Sequence, residues 1–148
     1  MARPPRSPVT PILTGVLIFR IFSVGVWLLL GAFGLFEWIL SQGRPLAEAR
    51  TVAVNVFVFG EFFYLFNCRS LQHSMFRVGV FSNAWVLGGA ALMAALQVLF
   101  THNRVMNTLF GCVPISQEDW WLILATGFAI YIAVGIEKWL TRRFIASA

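Results

Sequence analysis

Charge is scarce in this sequence. Asp, Glu, Lys and Arg together make up 11% of its 148 residues, where a soluble domain carries about 25%. Hydrophobic residues make up 59%, and the mean hydropathy is +0.79. So few polar side chains cannot clothe a globule in water, which excludes a soluble domain and points to an integral membrane protein. Cysteine is nearly absent. Cys68 and Cys112 stand alone without a C-x-x-C spacing, so no thiolate metal site is expected. Proline is missing from inside the long apolar runs, and Pro4, Pro5, Pro8 and Pro11 all precede the first of them. No small-residue cleavage site follows a short apolar core there, so the N-terminus does not read as a cleaved signal peptide. Neither G-x-x-x-x-G-K-[ST] nor G-x-G-x-x-G occurs, so no phosphate-cradling loop and no nucleotide site is expected.

What is present is four apolar runs, at about 21–40, 51–66, 84–100 and 120–136. Each approaches the roughly 17–25 residues that a helix needs to cross a bilayer. Strand-like alternation is lacking, so a barrel is not expected. The expected fold is an all-α membrane protein, a single four-transmembrane-helix bundle over 1–148. Trp27, Trp38, Trp85, Trp121 and Trp139 fall in or near these runs, and Trp favours the membrane interface. The connections are short and polar. In the last of them, Ser116 suits a helix N-cap, with Glu118 and Asp119 in the first turn.

The net charge is +5. Its arginines sit in the short connections, so the positive-inside rule explains them better than nucleic-acid binding does. One side collects Arg3, Arg6, Arg20, Arg69, Arg77, Lys138, Arg142 and Arg143; the other holds Arg44, Arg50 and Arg104. This asymmetry predicts cytoplasmic termini and a cytoplasmic middle connection, most simply in the plasma membrane. It also puts Cys68 and Cys112 on opposite faces, where they cannot pair within one chain.

Glu61 is the residue hardest to explain by packing. A carboxylate in hydrocarbon costs on the order of 3 kcal/mol by insertion scales, which by default marks an ion or proton site. It lies about ten residues, roughly 15 Å, into its run. The competing reading is a protonated, functionally silent Glu hydrogen-bonded between helices. Arg50 is three turns away on nearly the same face, too far for a direct pair, so any partner of Glu61 belongs to another helix. Asn55 sits about 120° around the helix from Glu61, which suits a bond across a helix interface. On the third run, Gly88 and Gly89 head a cluster of small residues that reads either as a docking face or as ordinary Ala-rich helix. Glu37 reads as an interfacial carboxylate. Glu137 and Lys138 read as headgroup contacts, and His73 and His102 lack partner ligands at metal spacing.

Four stretches carry a resemblance. The run A-R-T-V-A-V-N-V-F-V-F-G-E at 49–61 resembles the eighth transmembrane helix of type II, calcium-pump-like cation-transporting P-type ATPases. R-P-P-R-S-P at 3–8 with I-L-T-G-V-L-I-F-R at 12–20 resembles the link from the sixth to the seventh helix. N-A-W-V-L-G-G at 83–89 resembles the start of the ninth, and E-K-W-L-T-R-R at 137–143 the end of the tenth. The resemblance thus runs in order along nearly the whole chain. It implies that Glu61 supplies one side-chain oxygen to a transported-cation site. The other ligands belong to the fourth, fifth and sixth helices. It also implies that ATP and Mg are handled by a catalytic portion lying N-terminal to this region. This chain has no D-K-T-G-T or T-G-E-S motif, so no cofactor and no independent activity are expected of it. The expected partners are that portion of the pump, the cation and the lipid bilayer. Two other readings stay open: a free-standing four-helix scaffold or regulatory subunit, and a small oligomeric ion or proton transporter using Glu61.

Overall fold

The computed structural model describes residues 15–68 and 84–145. Five helices account for them: α1 (Gly15–Ser41), α2 (Leu46–Cys68), α3 (Ala84–His102), α4 (Arg104–Phe110) and α5 (Gln117–Ile145). No strand occurs among the described residues. Arg3, Arg6, Arg69, His73 and Arg77 lie outside the described residues, as does the side chain of Cys68.

Helices α1, α2 and α5 pack on one another, and the sequence spacing shows why. On α1, Val24, Leu28 and Ala32 recur every four residues, with Ile39 two turns on; all are buried. On α2 the buried stripe is Ala49, Val52, Val56 and Phe59, the three-and-four spacing of one helix face. On α5 it is Ile123, Ile130 and Val134. The outward faces stay apolar, with Phe22, Leu30, Phe33 and Trp121 exposed; that is the pattern of a helix set in lipid rather than water.

Two glycines let the backbones approach. A Cβ on Gly127 of α5 would lie 2.7 Å from the Phe63 ring and 3.3 Å from the Phe59 carbonyl oxygen of α2. A Cβ on Gly60 would collide with Leu28 of α1. Small residues at such crossings are the usual currency of helix association in lipid. Helix α3 stands apart, packing chiefly on α2 and the short α4.

Among the described residues, three helices are long and apolar enough to cross a membrane: Leu17–Ser41, Ala84–His102 and Gln117–Thr141. The second of the four runs anticipated from sequence lies on α2. That helix is 23 residues long and carries Glu48, Arg50 and Glu61. The stretch 101–119, expected to be a simple connection, contains α4. Asn103 caps that helix, its side chain accepting from the N–H groups of Val105 and Met106 at 2.9 and 3.4 Å. Gly111 ends it at φ 63°, a left-handed conformation that glycine adopts without penalty.

The inner faces also hold charge. Lys138 is buried, four residues beyond Val134 on the core stripe of α5, and Arg20 is buried four residues before Val24 on α1. Glu137 is half-buried and accepts a hydrogen bond from the Ser23 hydroxyl of α1. Glu137 and Lys138 therefore turn into the α1–α5 seam instead of reaching for headgroups, because α5 runs on to Ile145 and carries its inward face with it.

Candidate functional site

Helix α2 positions the candidate residues. Along it, Glu61 lies about 22 Å from Leu46 and about 10 Å from Cys68, at 1.5 Å per residue. Its neighbours Phe59 and Gly60 are buried, but Glu61 is exposed. The stripe that packs on α1 and α5 runs through 52, 56 and 59, and Glu61 falls off it. The carboxylate lines a groove of about 600 Å³ between α2 and α3, with Val58, Gly89, Leu92, Met93 and Leu96. Among the described residues it has no hydrogen bond or ion pair. None of the described His, Cys, Asp or Glu residues form a group of three that could hold a metal ion. A hard cation such as calcium takes six or more oxygen ligands. Glu61 is the one carboxylate lining this groove, whose remaining walls are almost wholly apolar.

Asn55 is placed differently. It is fully buried between α2 and α3. Its amide nitrogen donates to the Thr51 carbonyl at 2.8 Å and to the Thr101 hydroxyl at 3.1 Å. Its amide oxygen accepts from Gln97 Nε2 at 3.1 Å. The Thr101 hydroxyl lies 2.9 Å from the Gln97 carbonyl, within donating distance. Thr51 extends the network, its hydroxyl accepting from the Val113 N–H at 3.1 Å. Gln97 and Thr101 were not singled out from sequence. Their four-residue spacing in an otherwise apolar helix was the available signal, because it sets both on one face.

A second cluster ties the α1–α2 turn to the start of α5. Arg44 donates through both terminal nitrogens to Asp119, at 2.8 and 2.6 Å, and through Nη2 and Nε to Glu48, at 2.6 and 3.1 Å. Asp119 is almost fully buried. It also accepts from the Ser116 N–H at 3.0 Å, while its own N–H donates to the Ser116 hydroxyl at 3.2 Å. This is a reciprocal cap at the N-terminus of α5. Hydrogen bonds to the two carboxylates, Asp119 first and then Glu48, raise the pKa of the Arg44 guanidinium well above its ordinary value.

The other candidates scatter. Gly88 and Gly89 are exposed, with nothing within 4 Å of where a Cβ would sit, and Gly89 lines the Glu61 groove. Glu37 is exposed. His102 accepts a hydrogen bond from Trp120 Nε1 at 3.3 Å and stacks on that ring at 28°. Cys112 is buried as a free thiol.

Long apolar helices packed through buried stripes and close glycine contacts define a bundle of membrane-type helices, and the comparisons with known proteins supply its family. The sequence profile of the family described as "Cation transporting ATPase, C-terminus" matches residues 1–140. The chain belongs to that family: it is a C-terminal segment of the cation-transporting P-type ATPases, as the four quoted stretches led one to expect. The chain is 44% identical over 142 residues to "Probable cation-transporting ATPase F" of Mycobacterium tuberculosis (strain ATCC 25618 / H37Rv), covering 96% of this chain and 16% of that protein. It is 33% identical over 132 residues to "Cation-transporting ATPase pma1" of Synechocystis sp. (84% of this chain, 14% of that protein). It is also 28% identical over 170 residues to "Calcium-transporting ATPase 3, endoplasmic reticulum-type" of Arabidopsis thaliana, covering 96% of this chain and 17% of that protein. The chain thus spans roughly one sixth of the length of the relatives it matches.

Proposed function

We propose that this chain forms the last four membrane spans of a cation-transporting pump, with α1, α2, α3 and α5 crossing the bilayer and both ends cytoplasmic. It braces the transport-site helices and gives Glu61 as one ligand of the transported cation. The plasma membrane is the simplest location for it. The chain does not act alone. ATP and Mg are handled by the portion that precedes this region in full-length relatives, and that portion is its obligate partner. The observation that carries the reading is the Glu61 carboxylate, exposed on α2 and without a partner among the described residues, facing a groove that α3 only half closes. In lipid such a carboxylate is costly, and ligands from neighbouring helices with a shared cation would offset that cost.

The test is co-expression with the preceding portion of a cation-transporting ATPase, with cation-dependent ATP hydrolysis measured for wild type, Glu61→Asp and Glu61→Gln. Glu61→Gln is expected to raise the half-saturating cation concentration about tenfold or more, a loss of about 1.4 kcal/mol per decade, with a smaller effect for Glu61→Asp. An unchanged cation affinity in Glu61→Gln removes Glu61 from the ion site. Failure of the two portions to associate removes the pump reading altogether and returns the chain to a free-standing scaffold.

A further inference from the structure

A second groove lies along α2 nearer the α1–α2 turn. It encloses about 420 Å³. Its walls are Phe33 and Phe36 of α1, Val54 and Phe57 of α2, Phe100 of α3 and Phe110 of α4, all apolar. One charged group lines it: Arg50, on the first turns of α2. Arg50 is exposed, and among the described residues it makes no hydrogen bond or ion pair. The neighbouring Arg44, by contrast, is held by two carboxylates.

Arg50 sits at the end of the bundle where Trp38 and Trp121 are exposed. Exposed Trp marks the headgroup level of a bilayer. From there the groove runs toward Phe57, seven residues or about 10 Å deeper along α2. An unpaired guanidinium at headgroup depth above an apolar, aromatic-walled channel is complementary to an anionic amphiphile. We propose that this groove is a binding site for one anionic phospholipid. The Arg50 guanidinium donates to the headgroup phosphate, a fork-shaped donor meeting a multi-oxygen acceptor, and one acyl chain lies along the channel. This site shares the Phe100 and Phe110 walls with the Glu61 groove but is not lined by Glu61, and its occupant is lipid rather than a protein helix. Charge complementarity at Arg50 carries the choice.

The experiment uses the full 148-residue chain in mild detergent with added phosphatidylglycerol or phosphatidylcholine of matched acyl chains. Retained lipid is counted by native mass spectrometry. Wild type is expected to retain phosphatidylglycerol several-fold better than phosphatidylcholine. Arg50→Gln is expected to abolish that preference, and Arg50→Lys to keep most of it. Val54→Trp, at a position that is 41% exposed, fills the channel and is expected to lower retention of both lipids. A folding defect would lower both lipids equally in Arg50→Gln, so a selective loss of the anionic lipid separates the two causes. An unaltered preference in Arg50→Gln overturns the proposal. So does loss of the retained phosphatidylglycerol when the chain is assembled with the preceding pump portion, since the groove would then be a helix seat. Cation affinity of the assembled pump is expected to be unchanged in Val54→Trp, so failure here leaves the Glu61 reading standing.

Discussion

Asn55 engages its whole side chain at a position with no solvent access: one bond returns to the Thr51 carbonyl of its own helix, and the other two cross to Thr101 and Gln97 of α3. Interhelical hydrogen bonds in membranes are worth about 0.6 kcal/mol on average and about 2 at most. Helix α3 has few other ties to the bundle, so this one decides much of its placement. Asn55→Leu leaves the Gln97 amide without its acceptor and is expected to loosen α3. Cysteines placed at Val58 and Leu96, which line the same groove from α2 and α3, report on it: oxidative cross-linking is expected to be slower and less complete in the Asn55→Leu background. Unaltered cross-linking would mean that apolar contacts alone hold α3.

Glycine positions give a paired test at the same scale. Gly127→Ala places a Cβ 3.3 Å from a backbone oxygen that cannot easily move and 2.7 Å from a ring. Over-packing of this kind costs about 1–3 kcal/mol. Gly25→Ala meets nothing within 4 Å and replaces a poor helix former by the best one. Thermal unfolding in detergent is expected to shift down for Gly127→Ala and to stay level or rise for Gly25→Ala. Equal behaviour of the two would refute the close α2–α5 approach.

At the scale of elements, the Arg44–Asp119 pair fastens the α1–α2 turn to the N-terminus of α5. Removing one partner of a buried pair costs about 3–5 kcal/mol when the other charge is left uncompensated. Arg44 keeps some exposure, with 25% of its side chain accessible, so the lower part of that range applies. Arg44→Gln strands Asp119 and is expected to destabilise more than Glu48→Gln, which removes only the part-buried branch of the cluster and leaves the fully buried carboxylate paired. Comparing the two unfolding midpoints checks this, and the reverse order would sink it. The pH dependence has a definite sign. The pKa of Arg44 is raised on folding, so its contribution is fully present below the ordinary arginine value. It is lost only as pH climbs through the higher folded one. Stability at neutral and mildly alkaline pH should therefore not respond to titration of Arg44.

Elements also show what could be read from sequence and what could not. The apolar runs were legible because length and composition report them directly. Glu61 and Asn55 were legible because polar atoms in such runs stand out. The Ser116 cap was legible because its partners lie three residues away. Arg44 and Asp119 are 75 positions apart, and no local pattern links them. Ser23 and Glu137, 114 positions apart, are the same case, and they turn a presumed headgroup contact into a seam between helices. Helix α4 was missed because seven residues are too few for a periodic signal, although its caps, Asn103 and Gly111, were in plain view.

For the whole molecule, the described helices divide into a packed core of α1, α2 and α5 and a less tightly held α3, with two grooves along α2 that share the Phe100 and Phe110 walls. In the proposed pump these grooves have different occupants, cation-site helices beside Glu61 and lipid beside Arg50. The prediction at this scale is functional complementation. Neither this chain nor the preceding portion by itself should drive cation uptake into vesicles, and the two together should. Uptake by the chain alone would instead support a small oligomeric transporter.

The sequence by itself determined that the chain is helical and apolar, which residues carry charge into apolar runs, and, through the family it belongs to, the kind of machine it comes from. Length, composition and local spacing are enough for that, because a helix in an apolar medium must satisfy its own backbone. Only the tertiary structure decided where each side chain faces. It turned Glu61 toward an open groove and Asn55 into a closed interface, though they are six residues apart on one helix. That outcome depends on which neighbours pack around α2, through Gly60, Gly127, Gln97 and Thr101, and those contacts join residues far apart in the chain.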